Sequence, residues 1–137
     1  MQMFIKNTLK CWILLMLSLV VVSACASVAS GSKNEPIVFS EGNYAWYTVD
    51  GEHNKTLTLT RGQTYTIQVN VPGHPLWIKT QRGALQENAY NTGVTGNGTA
   101  MGEITFTVPM DAPKELFYNC EYHPAMGGSI NIVDAMQ

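Results

Sequence analysis

From Pro36 onward, apolar residues of this chain recur at every second position. Leu57 and Leu59 alternate with Thr56, Thr58 and Thr60, Tyr65, Ile67, Val69 and Val71 alternate with polar partners, and Ile104, Phe106 and Val108 repeat the pattern. A period of two puts alternate side chains on one face of an extended segment, so each run predicts a half-buried strand. Ile37–Phe39, Tyr44–Val49, Trp77–Thr80, Leu116–Cys120 and Ser129–Val133 add further strand signals, and no stretch after Pro36 sustains a helical period. Asp50-Gly51, Arg61-Gly62 and Pro72-Gly73 punctuate them with turn chemistry. Seven or eight short strands at this spacing predict an all-β fold, an antiparallel Greek-key β-sandwich. The Gly- and Asn-rich span from Asn88 to Gly102 is long for a connection in a compact domain, which marks it as either functional or mobile.

The N-terminus follows another plan. Lys6 and Lys10 lead into an apolar run from Cys11 to Val22, which gives way to the small residues Ser23, Ala24, Cys25 and Ala26. A basic start, a short apolar middle and a small-residue end describe a secretory signal, and the run falls short of the roughly 20 residues that span a bilayer. Val22-Ser23-Ala24-Cys25 also resembles a lipobox, in which Cys25 is lipidated, whereas Ala24-x-Ala26 reads as an ordinary cleavage site. Both readings stay open. The expected organisation is a signal over 1–25, a flexible tether over 26–35 and a folded domain over 36–137. The destination is the periplasm, either free or as a lipoprotein facing the periplasm or the cell exterior, so a membrane is met only through a lipid on Cys25.

Of the 137 residues, those after the signal are enough for one domain with one core. Six bases oppose ten acids over residues 26–137, a charge of −4 that leaves no footprint for nucleic acid. Cys120 is the lone cysteine of the folded part, so no internal disulfide forms there. A single thiol in an oxidising compartment must be protected or used.

Near the C-terminus stands Phe117-Tyr118-Asn119-Cys120-Glu121-Tyr122-His123-Pro124-Ala125-Met126-Gly127-Gly128. A thiolate, an imidazole and a thioether within seven residues suit copper rather than a hard cation, and structural zinc rarely takes methionine. His74, after Pro72-Gly73 at the end of the Tyr65–Val71 strand, supplies a fourth ligand if the sandwich brings that end beside Cys120. Two histidines and a cysteine with a weak axial methionine form the donor set of a blue-copper electron-transfer site.

In these residues the chain resembles the cupredoxins, and the Cys-x2-His-x2-Met spacing looks most like the amicyanin loop. Tyr118 and Gly127-Gly128 fit the same pattern. The resemblance covers roughly Asn43 to Val133 and implies one copper ion held by His74, Cys120, His123 and Met126, cycling between Cu(II) and Cu(I). It implies a monomer that meets a redox protein transiently, through an edge of His123 beside Pro124 and Ala125. One departure stands out: Pro75 follows His74, where the family places an asparagine whose amide ties the two ligand loops. That tie must come from elsewhere.

Three histidines in all are too few for the additional centre of a multicopper oxidase, and one cysteine cannot build a bridged binuclear site. No catalytic triad motif or phosphate loop is present, so an enzyme acting alone is not expected. Two alternatives to electron transfer remain: periplasmic copper storage or delivery with the same ligands, and a metal-free binding sandwich. His53 reads as a solvated hairpin residue, and Trp46 and Trp77 as packing aromatics, Trp77 near enough to His74 in sequence to line the site.

Overall fold

A computed structural model describes residues 35–136. The predicted signal and nearly all of the predicted tether lie outside the described residues. Ten strands follow one another: β1 (Ile37–Gly42), β2 (Tyr47–Val49), β3 (Glu52–His53), β4 (Leu57–Thr60), β5 (Thr64–Asn70), β6 (Leu76–Lys79), β7 (Val94–Thr95), β8 (Met101–Thr107), β9 (Glu115–Cys120) and β10 (Gly127–Val133). One sheet has the order β3-β2-β1-β5-β8-β7, the other β4-β10-β9-β6. There is no helix among the described residues.

The alternation read from the sequence is the alternation of burial. In β4, Leu57 and Leu59 are buried while Thr58 faces solvent, and in β5 Ile67 and Val69 are buried between exposed Gln68 and Asn70. Phe39, Tyr47, Ile104 and Phe106 from one sheet join Leu76, Ile78, Leu116, Tyr118 and Ile130 from the other in one core. Phe39 is its aromatic hub, edge-on to Tyr118 at 5.0 Å and to Tyr47 at 5.4 Å.

The expected strands are present, with three differences. Two-residue strands β3 and β7 raise the number to ten, because pairing partners rather than local pattern create them. Both sheets are mixed, since β1 runs parallel to β5 and β10 parallel to β4, while the other pairings are antiparallel. Tyr44 lies outside β2, because the Asn43 side chain accepts from the Ala45 and Trp46 amides, at 2.8 and 3.2 Å, and bends the chain there.

The long 88–102 span is built into both sheets. Val94 and Thr95 pair with β8, and the span then runs along the free edge of β6. There the Asn97 side chain accepts from the Ile78 amide at 2.7 Å and donates to the Ile78 carbonyl at 3.2 Å, standing in for a neighbouring strand. An edge strand without such cover is a template for aggregation.

Candidate metal centre

Strand register brings the site together. Leu76, which opens β6, pairs with Cys120, which closes β9, so His74 two residues before Leu76 arrives at the same end of the sandwich as the thiol. The Glu121 amide donates to the Pro75 carbonyl at 2.9 Å and extends the pairing past the strand ends. His74 is presented by a tight turn in which its amide donates to the Val71 carbonyl at 3.0 Å, with Pro72 and Gly73 at the two centre positions. Gly73 has φ of 79°, the left-handed value that a type II turn needs at that position. His123 and Met126 close a second turn, Met126 N to His123 O at 3.0 Å, with Pro124 in its second place. The Cys120 amide donates to Met126 O at 2.8 Å, which seals the hairpin.

These turns aim three donor atoms at one point. His74 Nδ1 lies 3.1 Å from His123 Nδ1, and Cys120 Sγ lies 3.7 Å from the former and 3.5 Å from the latter. Among the described residues no other group of three His, Cys, Asp or Glu ligand atoms converges in this way. An ion at about 2.0 Å from nitrogen and 2.3 Å from sulfur would hold such donors roughly 3.5–3.8 Å apart in a trigonal plane. The observed triangle fits one shared ion, with the two nitrogens drawn slightly together. Lone pairs turned on one another in this way repel unless a proton or a cation sits among them. Burial and the neighbouring His123 both lower the pKa of His74, which favours the neutral imidazole that a metal requires.

Met126 shares the loop and is fully buried. Its methyl group lies against Gly42, where any side chain would overlap it. Cys120 is buried and free of disulfides. Tyr44, 76% exposed, leans over both imidazoles, with ring centroids 4.9 Å from His123 and 6.4 Å from His74. His53 is exposed and stacks on Trp46 at 4.5 Å, as a solvated hairpin residue does.

The loop tie that Pro75 cannot provide is distributed over residues to which the sequence reading gave no such role. The Tyr47 hydroxyl donates to the carbonyls of His74, at 2.9 Å, and Pro75, at 3.2 Å. Burial first, and then the charge of Cys120, raise the Tyr47 pKa far above the usual tyrosine range, so the group stays a donor. Trp77 braces the opposite loop through Nε1, which donates to the Glu121 carboxylate at 2.9 Å. Asn119 is buried, and its Nδ2 lies 3.1 Å from the His123 carbonyl and 3.0 Å from that of Met126. Asn119 stood in the motif beside Cys120, but nothing local marks an amide there as a loop tie. Tyr47 reads as one more core aromatic.

The fold has counterparts among solved structures. A reduced rusticyanin matches with a TM-score of 0.51 and 18% sequence identity, over 71% of this chain and 77% of that chain. Rusticyanin from Thiobacillus ferrooxidans matches with a TM-score of 0.50 and 21% identity, over 71% of this chain and 75% of that chain. Rusticyanin is a copper protein. No protein-family model matches the chain, and no curated protein matches it by sequence.

Proposed function

We propose that this chain, whose β-sandwich has the cupredoxin fold, is an exported one-electron carrier that holds a single copper ion through His74, Cys120 and His123, with Met126 as a weak axial ligand. One observation carries the reading: His74 Nδ1, Cys120 Sγ and His123 Nδ1 all lie within 4.8 Å of one another at one end of the sandwich. Two imidazoles and a thiolate, with a thioether in the same loop, are the softer donors that copper prefers. Export rests on the signal pattern of residues 1–25, and the buried position of Cys120 keeps the thiol from oxidants outside the cell.

Copper, when bound, supplies a couple between Cu(II) and Cu(I). The part of the chain is to hold its donors still. Cys120 is pinned by its own amide to Met126 O, His74 by its turn and the Tyr47 hydroxyl, and His123 by its turn and Asn119. Donors that move little between two charge states make electron gain and loss fast. Half-buried His123 stands beside exposed Pro124 and Ala125, a small apolar contact suited to the brief encounters of redox partners. Catalysis of its own is not part of this reading.

The test is the visible absorption spectrum after one equivalent of Cu(II). An intense thiolate-to-copper band, absent in Cys120→Ala and reversibly bleached by a reductant, is the expected result. A folded protein that takes up only exchangeable Cu(I) and shows no such band would move the assignment to copper storage or delivery. Wild type and Cys120→Ala with equal copper affinity would sink both and leave a metal-free binding module.

A further inference from the structure

Lys79 is a buried lysine on the face of β6 opposite to Leu76 and Ile78. It is 1% exposed, beside Ile78 in a strand whose other buried residues are apolar. Lysine is almost never fully buried unless paired, yet none of the ion pairs of the described residues includes Lys79. Its Nζ donates instead to three consecutive carbonyls, of Gly83 at 2.6 Å, Ala84 at 3.3 Å and Leu85 at 3.0 Å. A carbonyl only accepts, and only the charged ammonium has three hydrogens, so the set is complete in that state alone. Residues 83–85 are a loop wrapped round a tethered cation. Their own packing does not explain that shape: Leu85 is 56% exposed and has φ of 62°, a left-handed conformation uncommon for a residue with a side chain.

The outer side of this loop grips the ligand hairpin. The Gly83 amide donates to Asn119 Oδ1 at 3.1 Å, the Leu85 amide to the Glu121 carbonyl at 2.6 Å, and Arg82 Nη2 to the Gly127 carbonyl at 2.7 Å. Asn119 and Glu121 flank Cys120, Gly127 follows Met126, and the Asn119 amide reaches the His123 and Met126 carbonyls. A methionine at position 79 would fill similar space but leave the Gly83, Ala84 and Leu85 carbonyls without their donor, so the change acts first on residues 83–85.

We propose that Lys79 is the positioning residue of the ligand hairpin: its ammonium shapes residues 83–85 into a clamp that holds Asn119, Glu121 and Gly127. Through them Cys120, His123 and Met126 keep their arrangement before any ion binds. The purpose of the clamp rests on the copper reading above; its existence does not.

The experiment is native-state amide hydrogen exchange on the metal-free full chain, wild type against Lys79→Met, followed by the rate at which a chelator strips copper from each. In the variant, the amides of Gly83, Leu85, Cys120 and Met126 should exchange roughly tenfold faster or more, as expected for loss of a charge-assisted hydrogen bond. Ile67 and Ile104, in the other sheet, should keep their rates. Copper loss should accelerate by a similar factor while the colour persists. Unchanged rates at the four amides, or an equal rise at Ile67 and Ile104, would overturn the proposal. Should Lys79→Met not fold, wild type alone decides: the clamp requires all four amides to open together, and Gly83 and Leu85 opening far more readily than Cys120 and Met126 would refute it. A wild type that takes up no copper removes the functional reading and leaves the exchange pattern to judge the clamp.

Discussion

Tyr47→Phe isolates one hydroxyl. The ring is fully buried, and its edge-on contact with Phe39 survives the change, so what is lost is the hydroxyl that donates to the His74 and Pro75 carbonyls and also lies within hydrogen-bonding reach of Cys120. Pro75 O keeps the Glu121 amide at 2.9 Å, whereas no other donor among the described residues reaches His74 O. A net hydrogen bond contributes about 0.5–1.5 kcal/mol, and an orphaned buried acceptor costs about 1–3 kcal/mol. His74 is only half-buried, so water relieves part of that penalty and the expected loss is about 1–2 kcal/mol. For a domain of this size the metal-free Tm should fall by about 5–15 °C. The His74 turn is then looser before the ion binds, and copper affinity, measured by competition with a chelator, should drop by up to about tenfold. The visible band should persist, because the donor set is intact. Since burial and Cys120 keep Tyr47 protonated, the deficit should be the same at pH 6 and pH 9. Wild-type Tm and affinity in the variant would refute the hydroxyl as the tie between the ligand loops. A loss above about 4 kcal/mol would mean that the ring packing had been disturbed instead.

Three further outcomes are expected. Gly128→Ala puts a methyl group into the Tyr118 phenol and 2.9 Å from the Asn54 carbonyl, so it should destabilise the protein by about 1–3 kcal/mol in a urea titration. Met126→Leu, close in volume, should leave the thiolate band in place and shift the reduction potential; a variant that no longer binds copper would contradict a weak axial role. Lys79 has its pKa lowered from 10.5, chiefly by burial and against the pull of Glu87. In the window just below 10.5 the unfolded chain keeps a proton that the folded one releases, so stability relative to Lys79→Met should rise with pH there and level off above it. Urea midpoints of the two proteins at several alkaline pH values measure it; a difference that is flat or falls through the window counts against the argument.

Much of the fold was legible because its signal is local. A strand with one buried face must alternate, and Leu57, Leu59, Ile67, Val69, Ile104 and Phe106 do so and are buried. The mixed sheets were not legible, because whether a strand lies parallel or antiparallel to its neighbour depends on the path of connections over the whole chain. The 88–102 span read as a loop because its pairing with β8 is only two residues long and its cover of β6 comes from isolated bridges and the Asn97 side chain, which imitates a strand. Trp77 read as a packing aromatic close enough to His74 in sequence to line the site, and its indole donates to the carboxylate of Glu121, next to Cys120.

The sequence by itself determined the chemistry of the candidate centre: Cys120, His123 and Met126 share one short hairpin loop, and three residue types at that spacing name a class of ion. It also determined that His74 follows a strand and the Pro72-Gly73 turn. Only the tertiary structure decided that the two loops meet, through the pairing of Leu76 with Cys120, and that the imidazole nitrogens lie 3.1 Å apart. It alone decided what holds them. Tyr47 acts through backbone carbonyls 27 and 28 residues away in the sequence, Lys79 through those of the loop 4 to 6 residues on, and Asn119 through those of its own hairpin. A carbonyl is the same atom in every residue, so no pattern of residue types records which one a buried donor will find.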